Sequence, residues 1–359
     1  MAKIISIGTA VPPYRHEQKE IFKFMENAFG LDKDEARKLG FLYRHSEIQN
    51  RYSVLPDFKK REGERQFPEP GIGEKCLSAR MELFEATALG LSVSSIKDCI
   101  NGIIEPQEIS HLITVSCTGM SAPGLDLQIS EALGLSNKIF RTSVNFMGCY
   151  AAIHAMKIGK MICDTNDTAK VMIVCTEICT IHFQKKYTAD NASSSLLFGD
   201  GSAALLLSNA LDTANTMKLK SFYSEVSYKG KGDMSWQISN TGFLMKLSSY
   251  IPQLIEEDIA ALVENALAEA GLQQSDIHFW CVHPGGRKIL EVIQHKLCLS
   301  PAALSCSSAV LSKFGNMSSP TILFVLKEIW KEIPNSPANI FGVAFGPGLT
   351  METFIATKE

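Results

Sequence analysis

The sequence predicts an α/β protein made of two copies of one strand-and-helix unit, with its sheets buried between helices. Short apolar runs rich in β-branched residues alternate with segments of helical period along the chain, the pattern of layered sheets and helices. Two distant stretches, HLITVSCTG at 111–119 and IHFWCVHPGG at 277–286, share one strand-then-turn layout. Apolar material is ample: hydrophobic residues make up 45% of the 359 and charged residues 20%, which excludes a disordered chain.

Taken in order, the opening MAKIISIGTAVPP is a short apolar run stopped by Pro12 and Pro13 and reads as a first strand. A secretory leader would need a longer apolar stretch and a cleavage site. Residues 56–75, rich in proline, glycine and charge, read as an exposed excursion. The runs 112–116, 171–175, 203–207, 277–282 and 339–345 are apolar throughout, as strands buried on both faces should be. The polar stretch 208–220 marks the passage between halves, dividing the chain into 1–212 and 213–359. Over 254–270, Ile255, Ile259, Leu262, Val263, Ala266 and Leu267 share one helical face, and Gly271 supplies a stop.

Several function classes drop out on composition. Lys and Arg number 35 against 38 Asp and Glu, so no basic field advertises nucleic acid or an anionic membrane. No apolar stretch approaches the roughly 18 residues of a spanning helix. Ten cysteines in so long a chain are expected to be reduced thiols of a cytoplasmic protein rather than disulfide staples.

The repeat brings chemistry with it. Cys149 follows Cys117 at almost the separation by which Asn316 follows His283, and each later residue succeeds a glycine and opens a helix-like segment. A thiol at a helix N-terminus feels the positive end of the dipole, which favours the thiolate; the competing explanation is a small buried apolar side chain. His283, in VHPGG, ends an apolar strand where α/β folds place their chemistry, although a structural histidine would look the same. Asn316, in KFGNMSSP, could equally cap a helix. Cys175, Cys179 and His182 lack a second ligand pair at metal spacing, so no metal is expected.

GCYAA, WCVHPGG, FGNMSSP, LFGDGSAALLL and AFGPGLTMETF together resemble the signatures of the chalcone-synthase-like type III polyketide synthases, in order from about Ile5 to the C-terminus. CTGMSAPGLD (117–126) and MSWQISNTGFLMKLSSYIP (234–252) are more similar to the bacterial branch. The resemblance implies a thiolase-like, duplicated five-layered α/β/α/β/α fold in a homodimer, using acyl-CoA (or an acyl-carrier protein) and malonyl-CoA, with no cofactor beyond CoA thioesters. Cys149 would be the nucleophile that takes the starter acyl group, and His283 and Asn316 the pair that binds the malonyl thioester carbonyl. Phe198 would stand beside the malonyl group, and Gly346, Pro347 and Gly348 would shape the cavity. Met245 falls at the gatekeeper position, while His182, Cys117 and Ser318 would line the cavity. A thiolate on Cys149 could be held as an ion pair with the His283 imidazolium.

The plant pattern of three basic residues gripping CoA is thin. Lys38 matches one, Phe41 and His45 fall at the other two, and Arg287 and Lys288 are expected to compensate. The implied activity is loading of an acyl, expectedly fatty acyl, starter and its extension to alkylpyrone- or alkylresorcinol-type products. A stand-alone ketosynthase fed by a carrier protein is the rival. A cysteine hydrolase shares the order Cys, His, Asn but not FGDG or the duplication, and a non-catalytic scaffold usually lacks the nucleophile.

Overall fold

A computed structural model describes residues 1–60, 64–65, 75–213, 216–334 and 336–359. Much of the excursion expected over 56–75, and residues 214–215 of the expected passage, therefore lie outside the described residues.

The first half runs through β1 (Lys3–Ala10), β2 (Tyr14–Glu17), α1 (Gln18–Phe29), α2 (Lys33–Arg44), β3 (Asn50–Ser53), α3 (Leu77–Ile100) and β4 (His111–Ser116). It continues with α4 (Leu125–Ala132), β5 (Phe140–Asn145), α5 (Ala151–Thr165), β6 (Lys170–Ile178), α6 (Ala189–Leu197) and β7 (Asp200–Ser208). The second half holds β8 (Met217–Val226), the hairpin β9 (Met234–Ser239) and β10 (Gly242–Leu247), α7 (Ile251–Glu269), β11 (Phe279–Val282) and α8 (Arg287–Lys296). It closes with α9 (Ser305–Phe314), α10 (Thr321–Glu332), β12 (Ala338–Gly346) and β13 (Thr350–Lys358). Each apolar run read as a buried strand is one.

Nine strands form one sheet in the order β11-β12-β13-β8-β1-β7-β6-β4-β5. The duplication is visible in the pairing. β4 lies parallel to β6, β6 antiparallel to β7 and β7 antiparallel to β1. In the second half β11 lies parallel to β12, β12 antiparallel to β13 and β13 antiparallel to β8. The two sets join where β1 meets β8, Lys3 opposite Lys218 and Ile4 opposite Met217. β5 is an additional edge strand of the first half.

Alternation along each strand builds the layers. Val171, Ile173 and Cys175 of β6 and Ala203, Leu205 and Leu207 of β7 face a central core shared with Ile153 and Met156 of α5 and Ile322 and Val325 of α10. Met172, Val174, Ala204 and Leu206 point the other way, onto Ile96 and Ile100 of α3. In the second half Phe341, Val343 and Ile355 face α7, while Ile340, Phe354 and Ala356 face the central helices. The result is helix, sheet, central helix pair, sheet and helix, five layers as expected. The α7 face read from the sequence is buried here, each large aliphatic side chain contributing about 1.5–3 kcal/mol. That helix starts at Ile251, before the expected start, because Pro252 sits in its first turn where no amide donor is needed.

Candidate active site

Cys149 sits on the turn between β5 and α5, just before Tyr150 caps the helix. Gly148 makes the turn with φ +82°, and a Cβ there would lie 2.2 Å from Cδ of Pro347. A Cβ on Gly346 would collide with the Tyr150 ring at 2.5 Å. The Gly346-Pro347-Gly348 loop of the second half is thus the wall against which the nucleophile's turn is pressed. Gly148 donates its amide to Cys117 Sγ at 3.0 Å, which places Cys117 directly behind that turn.

Two of the residues singled out by the repeat, Cys149 and Asn316, stand side by side, and Gly285 lies between the Asn316 amide and the His283 ring. Both terminal atoms of the Asn316 amide lie 4.0 Å from Cys149 Sγ, and Ser318 Oγ lies 3.7 Å from it. Asn316 Oδ1 accepts the Ser318 backbone N–H at 2.8 Å, so its orientation is fixed and Nδ2 is left to donate, with Gly285 O at 3.5 Å. His283 directly follows β11 and is 1% exposed, with its own amide held by Val343 O at 2.9 Å. Gly285 packs against the imidazole, and a Cβ there would stand 3.7–3.9 Å from the ring. Neither ring nitrogen of His283 has a hydrogen-bond partner among the described residues. A buried imidazole whose nitrogens have no protein partner is free to meet a ligand or water.

The electrostatics correct one expectation. Burial pushes the Cys149 thiol up to about 11, with Glu177 adding to the rise, and holds His283 down to about 3. Burial thus favours the neutral form of each group over a thiolate–imidazolium pair in the unliganded site. Desolvation outweighs the helix dipole because the charged forms have no water to stabilise them.

Phe198 is half-buried at the end of α6 and forms a parallel bridge with Asn316. The other residues expected to line a cavity lie on the β9–β10 hairpin and its neighbours. His182 donates through Nε2 to Thr118 O at 2.7 Å and accepts the Phe243 N–H at Nδ1, so both nitrogens are committed and neither is free for a metal. Its ring stacks on Phe243 at 4.2 Å, and burial holds it down to about 3. Met245 is half-buried opposite Trp236 across the hairpin.

At the outer rim, Lys38, Phe41 and His45 are exposed on and just after α2, with Phe41 and His45 stacked at 4.0 Å. Arg287 bridges to this element, donating to His45 O at 3.3 Å, and its Nε pairs with Glu291 at 2.6 Å and Glu47 at 3.2 Å. Arg287, expected with Lys288 to meet CoA, thus stands here between two carboxylates. Lys288 beside it is exposed.

Two residues that hold Cys117 escaped the reading of the sequence. Glu177, wholly buried at the end of β6, accepts from Cys117 N at 2.9 Å, Thr118 Oγ1 at 2.8 Å and Ser319 Oγ at 2.7 Å. It ties the turn behind Cys149 to the turn after Asn316, and burial raises its carboxyl. Trp236 donates to Cys117 O at 2.6 Å and holds the hairpin over the site.

Residues 1–210 match the family model for the N-terminal domain of chalcone and stilbene synthases, and residues 218–358 the one for the C-terminal domain. The chain is 31% identical over 360 residues to the alpha-pyrone synthesis polyketide synthase-like Pks18 of Mycobacterium tuberculosis, covering 98% of this chain and 90% of that one. It is 29% identical to type III polyketide synthase C of Arabidopsis thaliana, covering 99% and 94%. Among solved structures, PKS-I from the brown alga Ectocarpus siliculosus superimposes with a TM-score of 0.93 at 27% identity, covering 99% and 98% of the chains. A fungal type III polyketide synthase, ORAS, shares the fold at a TM-score of 0.86 and 21% identity, covering 100% of both.

Proposed function

Because the chain belongs to the chalcone and stilbene synthase family of type III polyketide synthases, we propose that it loads a fatty acyl starter on Cys149 and extends it with malonyl-CoA to alkylpyrone- or alkylresorcinol-type products. The enzyme is an acyltransferase-type condensing enzyme, and its family needs nothing beyond CoA thioester substrates. The observation that carries the mechanism is the Asn316 amide standing beside Cys149 Sγ and meeting Gly285, the residue against which the buried His283 ring, unpartnered at both nitrogens among the described residues, is packed.

Loading forms a thioester between Cys149 Sγ and the acyl carbon and breaks the bond from that carbon to the CoA sulfur. The proton lost by the thiol ends on the leaving sulfur, and neutral His283 can carry it between them. Malonyl-CoA then loses CO₂; the electron pair of the broken C–C bond becomes an enolate. A neutral imidazole N–H and the Asn316 Nδ2–H, aimed into a water-poor site, stabilise that enolate oxygen by about 3 kcal/mol per donor. The enolate carbon attacks the acyl thioester, the bond to Cys149 breaks, and the thiolate takes up a proton. Phe198 supplies an apolar flank that favours departure of the charged carboxylate.

Cys117, His182, Met245, Ser318 and the Gly346–Gly348 loop are proposed to bound the growing chain, and Lys38 and Lys288 to meet the CoA phosphates. The halves 1–212 and 213–359 are proposed as the two duplicated units, supported by the repeated strand pairing. A second copy of the chain is proposed to cover the edge strand β5. The relative named for alpha-pyrone synthesis supports the product class.

The test is incubation with malonyl-CoA and a panel of fatty acyl-CoAs, with products identified by mass spectrometry. Pyrones or resorcinols are expected from the native chain. With Cys149→Ala both the acyl-enzyme and every condensed product should fall at least about 1,000-fold; condensation surviving that change sinks the mechanism. The second reading is delivery of acyl groups by a carrier protein. Product formation only when acyl-carrier protein is present would establish it.

A further inference from the structure

Behind the proposed pair of Phe198 and Asn316 lies a charge that the chemistry above does not use. Arg51, on β3, is 3% exposed and forms no ion pair among the described residues. Tyr43 and the buried Asp200 offset part of the cost of burying this guanidinium, and its direct hydrogen bonds go elsewhere. Nε donates to Gln18 Oε1 at 3.0 Å, and Nη1 donates to the Phe198 carbonyl at 2.6 Å. That carbonyl belongs to the residue capping the C-terminus of α6, where the helix dipole favours a cation.

The same helix end carries Asn316. The carbonyl of Leu197, one residue earlier, accepts the Asn316 N–H at 2.9 Å, and Gly199 returns its N–H to Asn316 O at 2.9 Å. Arg51 also fills the space behind this two-stranded contact. A Cβ on Gly315, where φ is +69°, would come within 2.9 Å of the Arg51 stem and 2.8 Å of Leu197 O. A Cβ on Gly199 would lie 3.5 Å from Arg51 Cβ. The guanidinium and its stem thus set the height at which the backbone carrying Phe198 and Asn316 stands.

We propose that Arg51 is a positioning residue for decarboxylation: anchored by Gln18, it fixes the Phe198 carbonyl and, through the Phe198–Asn316 bridge, aims the Asn316 amide at the enolate oxygen. This rests on the reading of Asn316 and Phe198 given under Proposed function. Cys149 hangs from a different element, so loading of the starter does not depend on Arg51.

The experiment separates the two half-reactions. Arg51→Lys keeps the charge and loses the second donor; Arg51→Met loses both; Gln18→Ala leaves Arg51 in place without its anchor. For each, decarboxylation of malonyl-CoA to acetyl-CoA and acylation of Cys149 by a fatty acyl-CoA are measured, with circular dichroism as a check of the fold. A displacement near 1 Å costs about 100-fold, so Arg51→Met should lower kcat for decarboxylation about 10- to 100-fold with KM unchanged. Arg51→Lys should fall between Met and the native chain, and acylation should stay within about threefold in both. If Arg51→Met does not fold, Gln18→Ala decides, with an expected loss in decarboxylation of about fivefold and none in acylation. Equal loss of both half-reactions, or loss of neither, overturns the proposal. A native chain that does not decarboxylate malonyl-CoA instead overturns the reading beneath it.

Discussion

At the residue scale, the pair Cys149 and His283 is defined by what burial does to charge. A thiol raised to about 11 is almost wholly protonated at pH 7, and a histidine held to about 3 is neutral there. Alkylation of unliganded enzyme by iodoacetamide should therefore be slow at pH 7 and rise steadily to pH 10, because only the thiolate reacts. A plateau reached below pH 7 would mean a preformed ion pair. That Cys149, His283 and Asn316 sit at turns was legible in the sequence because each follows an apolar run or a glycine at repeat-related spacing. Arg51, Glu177 and Trp236 were not. Their roles are hydrogen bonds to backbone atoms far away in the chain, at Phe198, Cys117 and again Cys117, and no local period records such partners. Burial likewise hid the resting charge state, since a sequence shows the helix start but not the water removed from it.

At the element scale, the turn before α5 and the loop after β12 act as one piece. Gly148 combines a left-handed backbone with a Cβ position already taken by Pro347. Gly148→Ala should lower stability by about 2–4 kcal/mol and cost most of the condensation activity, measured by denaturant unfolding and product yield. A fully active, equally stable Ala variant would mean that the loop yields without consequence. The strands and α7 could be read ahead of the structure because burial on both faces leaves continuous apolar runs and a one-sided helix leaves a period. The β9–β10 hairpin was legible only through the family resemblance: its strands pass from buried to partly exposed without the strict alternation that marks a half-buried strand.

At the scale of the whole molecule, β5 is the unprotected rim of a nine-stranded sheet. Five of its six residues are exposed, Phe140 to 73%, and an open edge of this kind invites pairing with another chain. Sedimentation should give twice the mass of one chain, and Phe140→Asp should shift the protein toward monomer by about tenfold in dissociation constant. A native chain that sediments as a monomer would remove β5 as a contact surface. The duplication itself was legible because both units keep a strand, a glycine turn and a helix at similar spacing.

The meeting of β1 with β7 and β8 has a consequence for how the molecule comes off the ribosome. β1 is the fifth of nine strands, the keystone of the sheet, yet both of its neighbours are encoded roughly 200 residues later. At common translation speeds it waits on the order of 10–40 s before either arrives. Throughout that interval an apolar strand without partners is on offer to chaperones and to other nascent chains, and neither unit can complete its sheet until the chain has passed its midpoint.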